Sequence, residues 1–500
     1  MGRPSTLRSP EHRRGRLLLA LVALLAAIAV AVLLLATRGS GLPLGEAPNY
    51  YVDAVHGRDS NSGTSPAKAW RTLARVERIR YRGGEAVRLR GGQRFPGTIH
   101  IGPDNLTGTS RAAALTITSY GRGRAIIAAP PGDDGIDARN VAGIRIANIQ
   151  IAGQSHGCSN VKRGYRTGAA GVRLEAGGIH GTLGQGLTLA TADVSGFCNG
   201  IVIASRDDGS RIAHIRVSHV SSHDNANAGL WTYDQARAQH SIRDVVVSHM
   251  RVYRNERLGG IALFGVDGGT VENSKAFENA SQAGGGVGIW AFDARRILFT
   301  HNESYRNGSV TLTDDGDGFD FDRGVSSSVM EHNYSHDNAG VGFLLCSCNG
   351  SDPAFYRMDR VTMRSNVSRN DGSSGQASLL IGGGEEPMSR ATVVSNRVES
   401  STQGAPLVYA YGCRSCRAGR LYTSVDFRDN TFVSHAGKQL LLVDPERGTK
   451  LTFEQNRWRA TGGPLRLQWG LRQLVTSDPS RANAFTGVSL DTRGRPRRTP

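Results

Sequence analysis

Gly229-Leu-Trp-Thr returns as Gly260-Ile-Ala-Leu, Gly288-Ile-Trp-Ala, Gly318-Phe-Asp-Phe and Gly342-Phe-Leu-Leu. The pattern opens earlier, at Gly171-Val-Arg-Leu and Gly200-Ile-Val-Ile, and continues at Ala377-Ser-Leu-Leu, Ala405-Pro-Leu-Val and Gln439-Leu-Leu-Leu. Successive copies lie 24 to 35 residues apart. Each copy holds short strands of period two, separated by Gly, Asn, Asp or Ser turns. An irregular repeat of this size suits a parallel β-helix in which one repeat is one coil and the length differences sit in loops. Equivalent positions then stack about 4.8 Å apart, so like residues form ladders. Asn225, Asn255, Asn279, Asn307, Asn338 and Asn370 recur at the close of a later strand. They are expected to form an inward, structural ladder.

Composition agrees. Glycine supplies 64 of 500 residues, with no collagen-like period, and 39% of the chain is apolar. That excludes collagen and wholesale disorder. A long helical bundle would avoid so much glycine. The formal charge is +17, and only five of the 60 basic residues are lysine. Such a charge attracts acidic polysaccharide, phospholipid or nucleic acid. No nucleic-acid module signature is present, so nucleic acid is set aside as a partner.

Residues 1–16 are basic, and Leu17 to Ala36 are twenty apolar residues without a charge. That length crosses a bilayer as a helix, and the preceding arginines keep the amino terminus cytoplasmic. The expected order is a transmembrane signal anchor at 17–36, a linker at 37–48, a β-helix at 49–465, and a carboxy-terminal cap with a basic tail at 466–500. The β-helix is then extracytoplasmic, in the cell envelope or beyond it, where disulfides among the six cysteines are permitted. Cys413 and Cys416 suggest a local staple. Leu73, Val76 and Ile79 lie near helical spacing, which predicts a short helix capping the open amino-terminal end of the solenoid.

The stretch Tyr50-Tyr-Val-Asp-Ala-Val-His-Gly-Arg-Asp-Ser-Asn-Ser-Gly-Thr-Ser-Pro-Ala-Lys-Ala-Trp-Arg-Thr-Leu73 resembles the opening motif of right-handed parallel β-helix proteins of the pectate-lyase-like superfamily. Gly83 to Phe95 and Leu115 to Gly121 match the strands that follow in that module. The resemblance covers about residues 49–465. It implies the all-β, right-handed parallel β-helix fold and a carbohydrate-active protein. It leaves the reaction open, because the superfamily holds lyases, hydrolases, C5-epimerases and noncatalytic proteins.

If the residue after each repeat glycine points inward, that column reads Ile201, Leu230, Ile261, Ile289, Phe319 and Phe343. The outward columns then carry Trp231, Tyr233, Trp290, Phe292, Asp320 and Asp322. Aromatic rings stack on the apolar face of a sugar, so Trp231, Tyr233, Trp290 and Phe292 are candidate substrate-binding residues. The alternative is a satellite core beneath a covering loop. Asp293, Asp317, Asp320, Asp322 and Arg323 are the candidate catalytic residues, since paired carboxylates serve as acid and base, or acid and nucleophile, in glycoside hydrolysis. Asp315, Asp317 and Asp320 are a candidate calcium set. His301 and His332 flank the acidic coil and are candidate substrate contacts.

Asp317 to Arg323 also resembles the Asp-Gly-Phe segment of calcium-dependent lyases similar to family 9 pectate lyases. Here Asp322 stands where those have lysine, and Asp337-Asn-Ala-Gly-Val-Gly-Phe343 lacks most of their second acidic cluster. Arg323 is too basic to remove a C5 proton easily, with Lys275 as a fallback. The reading is therefore an exported, membrane-tethered enzyme that hydrolyses a polysaccharide without a required cofactor. A calcium-dependent lyase or C5-epimerase on a uronic-acid polymer, and a noncatalytic glycan-binding β-helix, stay open as alternatives.

Overall fold

The computed structural model describes residues 48–487, apart from 111, 155–157, 159–167, 178–182, 208, 236–239, 282–285, 310–314, 348–356, 384–387, 403–405, 413–422, 436–438 and 445–448. The expected membrane anchor, the Cys413/Cys416 staple and the basic tail lie outside these residues. Among the described residues, no helix is long and apolar enough to cross a membrane.

The chain forms a parallel β-helix. A coil in its middle consists of Val287–Phe292, Arg295–Thr300 and Glu303–Tyr305. The next repeats it as Asp317–Phe321, Ser326–Glu331 and Tyr334–His336. First strands of successive coils pair in parallel into one 14-stranded sheet, while the second and third strands share a 25-stranded sheet. The inward column has the expected register, with Ile201 on Leu230, Ile261, Ile289, Phe319 and Phe343 in turn. All six side chains are buried in one continuous core. Later coils depart from the expected phase. Phe343 pairs with Leu379, Val408 and Leu441, so those repeats begin at Ser378, Leu407 and Leu440. Their apolar runs lack the marking glycine, and an apolar run by itself does not fix which residue faces in.

The repeat glycine has a steric cause. A Cβ on Gly318 would lie 2.2 Å from Ser335 Oγ and 2.9 Å from Asn338 Nδ2. The expected asparagine ladder crosses the strand there. Asn225 donates to Asn255 (2.8 Å), Asn255 to Asn279 (2.9 Å), Asn279 to Asn307 (3.1 Å) and Asn307 to Asn338 (2.9 Å). The next rung is Asp371, which accepts from Asn338 Nδ2 at 2.8 Å, and not Asn370. Asn370 occupies the left-handed position just before the rung, like Arg306 and Asp337. A second ladder, unforeseen from the sequence, runs Asn302, Asn333, Asn366, Asn396, Asn430, Asn456 at the other turn. Both ladders saturate buried turn backbone that would otherwise lose its hydrogen bonds to water.

The ends are closed. Leu73–Glu77 is a five-residue helix whose Leu73 and Val76 enter the core at the amino-terminal end. The last parallel strand is Leu465–Trp469, and Arg472–Thr476 turns back on it antiparallel. The helix Pro479–Thr486 follows, with the Asp478 carboxylate accepting the Ser480 N–H.

Candidate active site

The strand Asp317–Phe321 pairs with Val287–Phe292 on one side and Phe343–Cys346 on the other. Phe319 and Phe321 point inward, and each stacks on another core ring at 5.1 Å, Phe343 and Phe299 respectively. Alternation then turns Asp320 outward, beside Trp290. Asp322, two residues on, is turned to the same side and is half-buried.

Asp320 is 4% exposed, and its Oδ1 has no hydrogen-bond partner among the described residues. Burial pushes its carboxyl well above the ordinary range, and the neighbouring Asp322, Asp317 and Asp315 carboxylates push it further. Asp320 therefore holds a proton under conditions where an exposed carboxyl has lost it. Asp322 accepts the Arg323 N–H at 2.7 Å. The Arg323 guanidinium lies over the Phe292 ring, 5.1 Å from its centre. A neutral acid and a more accessible carboxylate thus stand side by side.

Other expected site residues are placed differently. Asp317 pairs with Val287, which packs with Trp290 outside the main core; it is 1% exposed and accepts the Val341 N–H. It ties the next coil into place. Among the described residues no group of three or more His, Cys, Asp or Glu side chains could hold a metal ion. Asp315 is half-buried in the preceding turn, where its carbonyl accepts from Gln376 at 3.3 Å. Asp293 is buried, with Oδ1 3.6 Å from His240 Nε2, and its N–H donates to the Arg323 carbonyl at 2.9 Å. His240 carried no signal in the sequence. His301 and His332 are exposed and stack at 5.2 Å, but they sit at the turn between the second and third strands, on the sheet that does not carry Asp320. They belong to a column of left-handed turn residues with His219, His249 and Asn273.

The outward aromatics form a satellite core. Trp231 (1% exposed) and Trp290 (7%) pack with Leu258, Ala262 and Phe264. Trp290 Nε1 donates to the Leu258 carbonyl at 3.3 Å. Leu258, just before the strand Gly259–Phe264, packs with both, so the two indoles are buried rather than open to a ligand. Tyr233 and Phe292 are only partly buried, and Arg323 lies over the Phe292 ring.

Comparison with known proteins bears on the fold. A family model described as "Right handed beta helix region" matches residues 243–432. The chain is similar to a lacto-N-biosidase of Bifidobacterium longum subsp. longum, 22% identical over 426 residues that span 64% of this chain and 26% of that protein. The chain thus spans about a quarter of that relative's length. It is also similar in structure to the GH136 lacto-N-biosidase from Eubacterium ramulus. The selenomethionine form has a TM-score of 0.55 at 16% identity, covering 83% of this chain and 68% of that one. The native form has 0.51 at 17% identity. The fold is the right-handed parallel β-helix.

Proposed function

We propose that the protein is an exported, membrane-tethered glycoside hydrolase, with Asp320 and Asp322 as its carboxylate pair. The observation that carries this reading is the Asp320 carboxyl: buried, lacking a partner at Oδ1, and held protonated beside a half-buried Asp322. Hydrolysis needs an acid that keeps its proton near neutral pH and a second carboxylate that does not. Tyr233 and Phe292 supply the apolar surface for a sugar ring, and Arg323 supplies donors to its hydroxyls. The likeness to lacto-N-biosidases supports glycosidic-bond cleavage over elimination. An elimination would also need a base to take the C5 proton. The guanidinium of Arg323 is a poor base.

The test is a panel of neutral and acidic oligosaccharides and polysaccharides, followed for new reducing ends and for ultraviolet absorbance together. Hydrolysis gives reducing ends without absorbance. Absorbance at the unsaturated-uronate wavelength would replace the reading with a lyase. Turnover in neither channel, with retention of a glycan, would make the protein a binding solenoid.

A further inference from the structure

The cations are unevenly distributed. Residues 48–125 hold thirteen Lys and Arg against five Asp and Glu. On later coils many exposed arginines are paired from coil to coil, as in Arg254 with Asp224, Arg296 with Asp267 and Arg364 with Glu331. Around the first coils two of the five acids, Asp53 and Glu85, are buried, and exposed Asp59 accepts the Arg71 and Thr72 N–H groups. Arg94, Arg122 and Arg124 are exposed and have no carboxylate within salt-bridge distance among the described residues.

These arginines share one corner with an exposed apolar tip. Asp53 Oδ1 accepts the Val55 and His56 N–H groups (3.0 and 2.9 Å), which fixes a turn with Val55 at its tip, 58% exposed. The Gln93 side chain accepts the Ala54 N–H at 2.7 Å, and Arg90 reaches Asp53 at 3.2 Å, so the tip is fastened to the turn at 90–93. Gly91 N–H bonds the Tyr120 carbonyl and Gly92 N–H bonds the Arg124 carbonyl, fastening that turn to 120–124. Arg71 reaches the Val55 carbonyl from the other side at 3.3 Å. The ionisable groups around the tip are therefore Arg71, Arg90, His56, the already saturated Asp53, and Asp59, which accepts from Arg71 and Thr72.

We propose that this corner, Val55 ringed by Arg71, Arg90, Arg94, Arg122 and Arg124, docks on the anionic headgroups of the membrane to which the chain is tethered. The inference rests on the tether of the proposed function. The apolar run 17–36 ends eleven residues before the first described residue. Eleven extended residues reach at most about 40 Å, so the first coils stay near the bilayer surface. Cations within a Debye length of an anionic leaflet each favour contact about fivefold, and an apolar tip enters the interface.

The test uses the full chain in nanodiscs of phosphatidylcholine alone or with about 30% phosphatidylglycerol. Val55→Cys carries an environment-sensitive fluorophore. The expected result is a blue-shifted, brighter label only in the anionic discs, reversed by about 0.5 M salt. Arg94→Gln, Arg122→Gln and Arg124→Gln together should weaken docking about a hundredfold. None of the three side chains has an acidic partner to lose, so the fold is preserved. Identical emission in both discs, with the chain retained in each, would overturn docking and leave the tether standing. A chain washed out of both discs by salt would overturn the tether and the docking with it. A label that responds to polygalacturonate but not to anionic discs would assign the corner to an acidic glycan and overturn the lipid proposal.

Discussion

Asp371→Asn should make the protein more stable at pH 8 and leave it no better at pH 4. Asp371 stands where the first asparagine ladder ends, wholly buried, with Asn338 N–H and Nδ2 donating to Oδ1 (3.0 and 2.8 Å) and Ser368 Oγ donating to Oδ2 (2.6 Å). Burial outweighs these donors and lifts its pKa from 3.8 to about 6. A carboxyl with a raised folded-state pKa contributes fully below the unfolded value. Its contribution is lost as the pH rises through the folded value. The loss between pH 4 and pH 8 is about 3 kcal/mol for a shift of this size. Asparagine keeps both bonds from Asn338 and carries no charge to desolvate. It obliges Ser368 to accept instead of donate, at a cost of about 1 kcal/mol. The net gain at pH 8 is therefore about 2 kcal/mol. Urea unfolding of both proteins at each pH from 4 to 8 measures it. Asp371 is one of the charges that raise Asp317, so the difference between the curves reports Asp371 together with the relief its loss gives Asp317. Parallel stability curves across that range would refute the reasoning.

Three other substitutions probe the scaffold. Asn307→Ala removes the acceptor for two Asn279 donors and the donor to Asn338, and should cost about 3 kcal/mol by urea unfolding at pH 7. Gly318→Ala would drive a methyl group into Ser335 Oγ and the Gly342 carbonyl. It should cost roughly 3 kcal/mol or abolish soluble expression, whereas alanine at exposed Gly121, despite its left-handed backbone, should cost about 1 kcal/mol. Cys158→Ser opens a disulfide that closes 40 residues onto Cys198 and should cost about 4 kcal/mol, seen as a lower unfolding midpoint.

The solenoid was legible because a glycine and one inward apolar residue recur from Gly200 to Gly342, and register follows from that pair in those coils. The Ser-Xaa-Xaa-Asn spacing of Ser304/Asn307 and Ser335/Asn338 could also have placed the last rung at Ser368/Asp371 instead of Asn370. The site was legible in part. Asp320 and Asp322 fall outward by alternation, as expected. Asp317 is close by in sequence, but its full burial and the Val341 N–H give it a structural task. Trp231 and Trp290 face outward, as the register requires, yet direction does not decide exposure. Leu258 lies about thirty residues from either indole along the chain, and only the folded coil brings it over them. The same holds for His240 beside Asp293, a contact of two turns that share no motif. The His301 and His332 pair followed turn geometry rather than chemistry.

The most direct test of the central claim is kcat/KM on the best glycan from the panel, measured across pH for the full chain, Asp320→Asn and Asp322→Asn. The account predicts that each substitution lowers the rate roughly 10²–10⁴-fold. It also predicts that the alkaline fall in the native profile, where Asp320 loses its proton, disappears from the residual activity of Asp320→Asn. Turnover that survives in Asp320→Asn and Asp322→Asn combined, with the native pH profile, would place the chemistry elsewhere on the solenoid.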